Sequence, residues 1–187
     1  MPKIAEIEDT PNPNAKKFIL KEPFTWGISH SYDNMAQAEA DPLAGALFDI
    51  EHVTSVFYVD HWLTVTQDGA ADWPELLRKL AEPIRAAAAA DERSAQLATE
   101  STVGAGAELS PEDRERLARI NELLDEQIRP YLQDDGGDLY VMGLEGNKLS
   151  VHYQGACGSC PSSLSGTLVS IENLVKSIEP DIEVVAI

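Results

Sequence analysis

Apolar and polar positions change period several times along the chain, and each change marks an element. Lys16 to Leu20 alternates well enough for a short strand, whereas Lys3 to Glu8, with Ile4 and Ile7, alternates only loosely. Between them lies Pro11-Asn12-Pro13-Asn14. A residue before proline is pushed out of helical space, so these positions predict a rigid structural loop. Asp41-Pro42 opens a short helix, with Asp41 as N-cap and Leu43, Leu47 and Phe48 along one face. Val53 to Val59 and Trp62 to Thr66 are β-branched and aromatic runs parted by Asp60-His61, which predicts a β-hairpin. Asp72-Trp73-Pro74-Glu75 predicts a capping box ahead of Leu76, Leu77, Leu80 and Ile84. Strands followed by helices, without repeating βαβ units, give an α+β domain over residues 1–86. Its aromatics Trp26, Phe48, Phe57, Tyr58, Trp62 and Trp73 are assigned to core and hairpin packing. His30, His52 and His61 show no partner pattern of a catalytic site.

The periodicity then lapses. Ala86 to Ala90 reads as a helix end, and no apolar face can be drawn through the small and polar residues that follow, so residues 87–110 are expected to form a flexible linker. Order restarts at Ser110-Pro111, an N-cap and first-turn proline. Leu117, Ile120, Leu124, Ile128 and Tyr131 then predict an amphipathic helix of about five turns, whose last turn Pro130 should weaken. Asp134 to Gly137 predicts a turn, with Asp134, Asp135 and Asp138 as turn and capping groups. Leu139, Val141 and Leu144 begin a strand, and Glu145-Gly146-Asn147 loops back into an alternating run from Lys148 to Tyr153. Leu164, Leu168, Ile171, Val175 and Ile178, at spacings of 4, 3, 4 and 3, line one face of a further helix, and Ile182 to Ile187 supplies a final strand. Residues 111–187 thus read αββαβ: a small sheet with two helices on one side and the cysteine loop at one edge. The whole chain is α+β, two small domains in sequence.

Composition narrows the classes. The chain has 187 residues, 43% of them hydrophobic, enough for folded cores. A formal net charge of −18 argues against nucleic-acid partners and anionic membrane surfaces. No run of apolar residues is long enough to span a bilayer. The N-terminal pattern is neither that of a secretory signal nor that of an Arg-rich transit peptide. Two cysteines without a disulfide framework fit a reducing cytoplasm, which is the expected location.

The candidate chemistry sits between the last predicted strand pair and the helix after it. Gly155-Ala156-Cys157-Gly158-Ser159-Cys160-Pro161 holds the only two cysteines in the protein, three positions apart. At a helix N-terminus, free N–H groups and the macrodipole stabilise thiolates. A turn at such a mouth should also leave its thiols exposed. Three readings stand side by side. Cys157 and Cys160 are a redox pair of a thiol–disulfide oxidoreductase, or half of a four-thiolate metal set, or two small side chains in a turn. Two ligands fall short of the four that zinc or an iron–sulfur centre takes. His152 is placed on a sheet face and does not complete the set. A second copy of the chain completes it most simply, and thiolates alone do not separate iron from zinc in a metal-stapled dimer.

These residues carry a resemblance. Gly-Ala-Cys-Gly-Ser-Cys-Pro-Ser-Ser, followed by Gly166-Thr167-Leu168 and Ile171-Glu172-Asn173-Leu174, resembles the C-terminal module of the Nfu/NifU family. Asp134-Asp135-Gly136-Gly137-Asp138-Leu139 is similar to that module's acidic di-glycine turn, and Thr10-Pro11-Asn12-Pro13-Asn14 with Lys17-Phe18 resembles the signature of the Nfu N-terminal domain. The resemblance implies a non-enzymatic carrier that holds a [4Fe-4S] cluster between two subunits on Cys157 and Cys160. It implies receipt of the cluster from an upstream assembly scaffold and delivery to client iron–sulfur apoproteins. The resemblance leaves residues 87–110 aside.

Limited proteolysis of the full chain is expected to cut first between Ser94 and Ala107, where apolar periodicity is lost, and to release two folded pieces. Equal resistance there and in the domains would contradict the two-domain reading.

Overall fold

The computed structural model describes residues 2–88, 110–158 and 161–187, the side chains of 161–165 excepted. The chain divides into two compact units, parting between Thr102 and Val103. Both are α+β. The expected linker falls almost wholly outside the described residues.

The first unit is built on a five-stranded antiparallel sheet. Its strands are β1 (Ile4–Asp9), β2 (Ala15–Leu20), β3 (His30–Tyr32), β4 (Val53–Val59) and β5 (Trp62–Gln67), in the order β1-β2-β5-β4-β3. The hairpin expected at Asp60-His61 forms, with Asp60 at a positive φ of 46°. Helices α1 (Met35–Ala38), α2 (Pro42–Phe48) and α3 (Trp73–Ala86) pack on one face of the sheet. There Ala38, Ala44, Leu47, Leu76, Leu80 and Ile84 meet Phe18, Leu20, Val56, Tyr58, Leu63 and Val65. The Pro-Asn loop is structural. Asn12 is buried, its side chain accepts from the Asn14 amide at 3.0 Å, and the Pro13 carbonyl accepts from the Trp73 indole at 3.0 Å.

Two expectations for this unit need correction. Strand β3 and helix α1, of three and four residues, are too short to carry a period, and the sequence pattern missed both. The capping box at Asp72 does not form, because its side chain makes no cap hydrogen bond. Pro74 stands at the second helical position, so one of the two amides that such a cap engages does not exist.

Asp41 ties this unit together. One carboxylate oxygen caps α2 by accepting from the Leu43 and Ala44 amides, each at 2.9 Å. The other accepts from the Tyr32 hydroxyl at 2.8 Å and from the Tyr58 hydroxyl. Burial raises the Asp41 pKa, but the Tyr58 hydroxyl, the Ala44 amide and the Tyr32 hydroxyl outweigh it, and the net shift is downward. His30 stacks on Tyr58 with ring centroids 4.8 Å apart.

The second unit carries helices α4 (Pro111–Gln127) and α5 (Arg129–Asp134), strands β6 (Gly137–Glu145) and β7 (Lys148–Gly155), helix α6 (Pro161–Lys176) and strand β8 (Glu183–Ala186). Strand order is β6-β7-β8, with β7 antiparallel to β6 and parallel to β8. Ser110 caps α4 by accepting from the Asp113 amide at 3.1 Å. Ile120, Leu124, Leu132, Ile171 and Val175 cover Leu139, Leu149, Val151, Tyr153 and Val184. Pro130 does more than weaken the last turn. It sits in the first turn of a separate helix, since the ladder breaks at Ile128. The restart changes the phase, so Leu132 is buried while Tyr131, expected on the apolar face, is 72% exposed.

Histidine titration tests the first unit. Burial lowers the His30 pKa, against the pull of Asp41, whereas the Asp68 carboxylate raises that of the exposed His52. In NMR titration of the full chain, His30 should titrate below the ordinary 6.5 and His52 above it. His30, whose folded pKa is depressed, contributes stability that is fully present above 6.5 and is lost as pH falls below that value through the lower folded pKa. His52 has the opposite sign, and its exposure keeps its effect small. Matching titration of both rings would contradict the packing described.

Candidate iron–sulfur site

The cysteine loop leaves the end of β7, the central strand of the second sheet, and not a sheet edge as the element order had suggested. The reason is the parallel pairing of β8, which returns after α6 to flank β7 on its free side. The same end of the sheet holds the start of β6, with Gly137 opposite Gly155 in register. The acidic di-glycine turn and the cysteine loop are thereby brought together, 20 residues apart in sequence. The Ala156 amide donates to the Gly136 carbonyl at 3.0 Å, which staples one to the other. Gly136 ends α5 at a φ of +79°, and Gly155 turns the chain out of β7 at +65°, a region that side chains disfavour.

Cys157 is buried, at 1% exposure, within the apolar core of the unit. The expectation that a helix-mouth turn exposes its thiols fails at this residue. Gly137 explains why. A Cβ placed there would stand 2.6 Å from Cys157 Sγ and 2.7 Å from the Gln154 carbonyl oxygen. The missing side chain is the slot that the thiol fills. Gly158 closes the turn, its amide donating to the Gly155 carbonyl at 3.2 Å. A Cβ on Gly158 would come within 3.1 Å of the Tyr153 carbonyl oxygen. Cys160 lies outside the described residues.

Asp138 corrects another expectation. It is not a turn or capping group: it is buried, and Arg129 Nη1 approaches its carboxylate at 3.3 Å while Gln133 Nε2 donates at 3.2 Å. Burial raises its pKa, and Arg129 only partly offsets that. The pair fastens β6 to α5 one residue from the Gly137 slot. Asp135 ends α5 as its C-cap, in keeping with the expectation for it. His152 Nδ1–H donates to the Ile187 carbonyl oxygen at 2.8 Å, on the strand as expected. Among the described residues, no three His, Cys, Asp or Glu side chains gather at one point.

The fold and this loop accompany clear relatives. Residues 4–91 match the model of the scaffold protein Nfu/NifU N-terminal family, and residues 120–186 match that of the NifU-like domain. The human NFU1 iron-sulfur cluster scaffold homolog, mitochondrial, is 38% identical over 179 residues, covering 95% of this chain and 69% of that one. The chain belongs to the Nfu/NifU family. A protein of the same name from Drosophila ananassae is 34% identical over 181 residues. This Nfu/NifU chain spans 62% of that fly relative's length. Among solved structures, the protein SAV1430 from Staphylococcus aureus is 28% identical, with a TM-score of 0.39, over 43% of this chain and 96% of that one.

The sequence singles out Cys157 as a candidate ligand but not the contacts that hold it. Gly137, Arg129 and Tyr153 shape the site through contacts that no local spacing encodes. Replacing Gly137 with Ala should lower the stability of this Nfu/NifU module by about 2 kcal/mol in urea denaturation, because the added methyl meets both sulfur and backbone. Cys157 in that variant should label faster with a maleimide, read by mass spectrometry of its peptide. An unchanged stability and labelling rate would contradict the slot.

Proposed function

We propose that this protein is an iron–sulfur carrier in which Cys157 and Cys160 hold a [4Fe-4S] cluster shared with a second copy. The cluster is received from an upstream assembly scaffold and passed to client apoproteins. The observation that carries the reading is the ligand count. The chain has two cysteines, one of them seated at the end of the central strand of a NifU-like domain. Four thiolates then require two chains. The family relationship supports cluster chemistry in preference to zinc, since the relatives are named as iron–sulfur cluster scaffolds.

The rest of the assignment follows from the division of the chain. Residues 111–187 would bear the cluster, residues 1–86, which lack cysteine, would recognise clients, and residues 87–110 would let the two work at a distance. Thiolates that exchange with a client's cysteines need a reducing compartment, which favours the cytoplasm for this chain. No helix among the described residues is long and apolar enough to cross a membrane. The strong negative charge speaks against nucleic acid as a partner.

An oxidoreductase would use Cys157 as the attacking nucleophile, and an attacking sulfur must be reachable. Cys157 is buried, which disfavours that reading. Burial constrains the carrier as well. Iron reaches a buried sulfur only when its packing gives way, so loading is coupled to a local rearrangement around Cys157.

The test is anaerobic reconstitution with iron and sulfide, followed by metal analysis and sedimentation on the same samples. About two irons per chain in a dimer are expected for a shared four-iron cluster. Cys157→Ala should hold no cluster, since the dimer would then lose two of its four ligands. A brown monomer with about four irons per chain would overturn the shared site, and so would a Cys157→Ala variant that keeps half its iron.

A further inference from the structure

One polar atom near the cysteine loop has no partner. Tyr153 lies on β7, on the face that packs against the helices, and is 4% exposed. Its hydroxyl is buried and finds no hydrogen-bond partner among the described residues. Leaving a hydroxyl dry and unpaired costs about 1–3 kcal/mol, so such groups are rare and call for an explanation. A phenylalanine would fill the same space without that cost.

The position of the hydroxyl supplies the explanation. Tyr153 and Cys157 belong to one cluster of buried side chains. They are also close enough for a charge on Cys157 to act on the phenol. A phenol hydroxyl is a donor throughout the ordinary pH range. The loop folds back over it, with Gly158 packed near its carbonyl oxygen. Tyr153 is anchored: it is paired across the sheet with Leu139 and flanked on its own face by Val151.

We propose that the Tyr153 hydroxyl is a donor held for the loaded state, making its hydrogen bond to sulfur of Cys157 or of the cluster when iron is bound. The inference rests on the carrier reading given above. A thiol is a weak acceptor, whereas a sulfur carrying negative charge at a metal is a better one, and hydrogen bonds to charged groups are stronger. The bond would therefore form on loading, and it would hold the cluster more firmly. It also would make the bound cluster easier to reduce, because hydrogen bonds to the sulfurs are among the factors that set cluster potentials. Tyr153 is thus a positioning residue, acting on iron through sulfur.

The test compares Tyr153→Phe with wild type, both as full chains, in apo and reconstituted form. Removal of the unpaired hydroxyl should raise the melting temperature of the apo protein, by about 5 °C for a domain of this size. In the reconstituted protein the variant should lose iron to a ferrous chelator about tenfold faster. Its reduction potential should move to more negative values. A merely structural tyrosine would move neither the rate nor the potential, and unchanged values of both would overturn the inference while leaving the carrier intact. A lower apo melting temperature would also overturn it, since the hydroxyl would then have an acceptor without iron. Failure of the wild type to take up a cluster would overturn the carrier reading, and this inference with it.

Discussion

Everything at the cysteine loop depends on an absent side chain. Cys157 occupies the space that a Cβ at position 137 would need, so the sulfur's position is set by the register of two strands. That register is in turn set by burial. Leu139 opposite Tyr153 and Val141 opposite Val151 face the helices. A slip of one residue would turn these side chains to the far face, an error that a half-buried sheet resists strongly. It would also carry Asp138 into the place of Gly137, setting a carboxylate against the sulfur. The hydrophobic pattern of the hairpin and the chemistry of the loop are therefore one constraint.

That constraint explains which parts of the molecule could be read from the chain alone. The alternation from Lys148 to Tyr153 and the helical spacing from Leu168 to Val175 are local, and both elements formed as expected. The cysteines were legible because their spacing is itself the signal. Their surroundings were not, since Gly137 and Cys157 meet through strand pairing across an intervening hairpin. Tyr131 failed for a related reason: a period was extended through Pro130, although proline restarts the helical phase. Asp138 was read as a turn group because its partner Arg129 belongs to a helix that the unbroken pattern concealed. The central place of β7 could not be seen either, because it depends on where β8 lands after α6.

Buried polar groups bear on the two units in different ways. In the first, the Asp41 carboxylate accepts from two amides and two hydroxyls, and so fixes α2, β3 and β4 in one network. Such a fully engaged carboxylate rigidifies a fold and leaves little capacity for a ligand. Buried atoms of Trp26, Ser31 and Thr66 in the first unit are unpaired among the described residues, as is the Tyr153 hydroxyl in the second, so an orphan group does not by itself mark a site. The Tyr153 hydroxyl bears on the chemistry because it shares one buried cluster with Cys157.

A carrier must hold its cargo firmly and still surrender it, and the burial of Cys157 bears on both demands. If iron can reach the sulfur only in an open form of the site, the apparent affinity is the intrinsic affinity reduced by the fraction of molecules that are open. The well-packed slot at Gly137 keeps that fraction small, which weakens the hold on the cluster. A hydrogen bond that forms only with iron present works in the opposite sense, favouring the loaded state over both apo forms. The two effects can be tuned separately, one through packing at position 137 and the other through the hydroxyl at position 153. Holding and release in such a protein would then be set by side chains that never touch iron. Clients would receive the cluster at the point where their own thiolates outcompete a site whose empty form is already well packed.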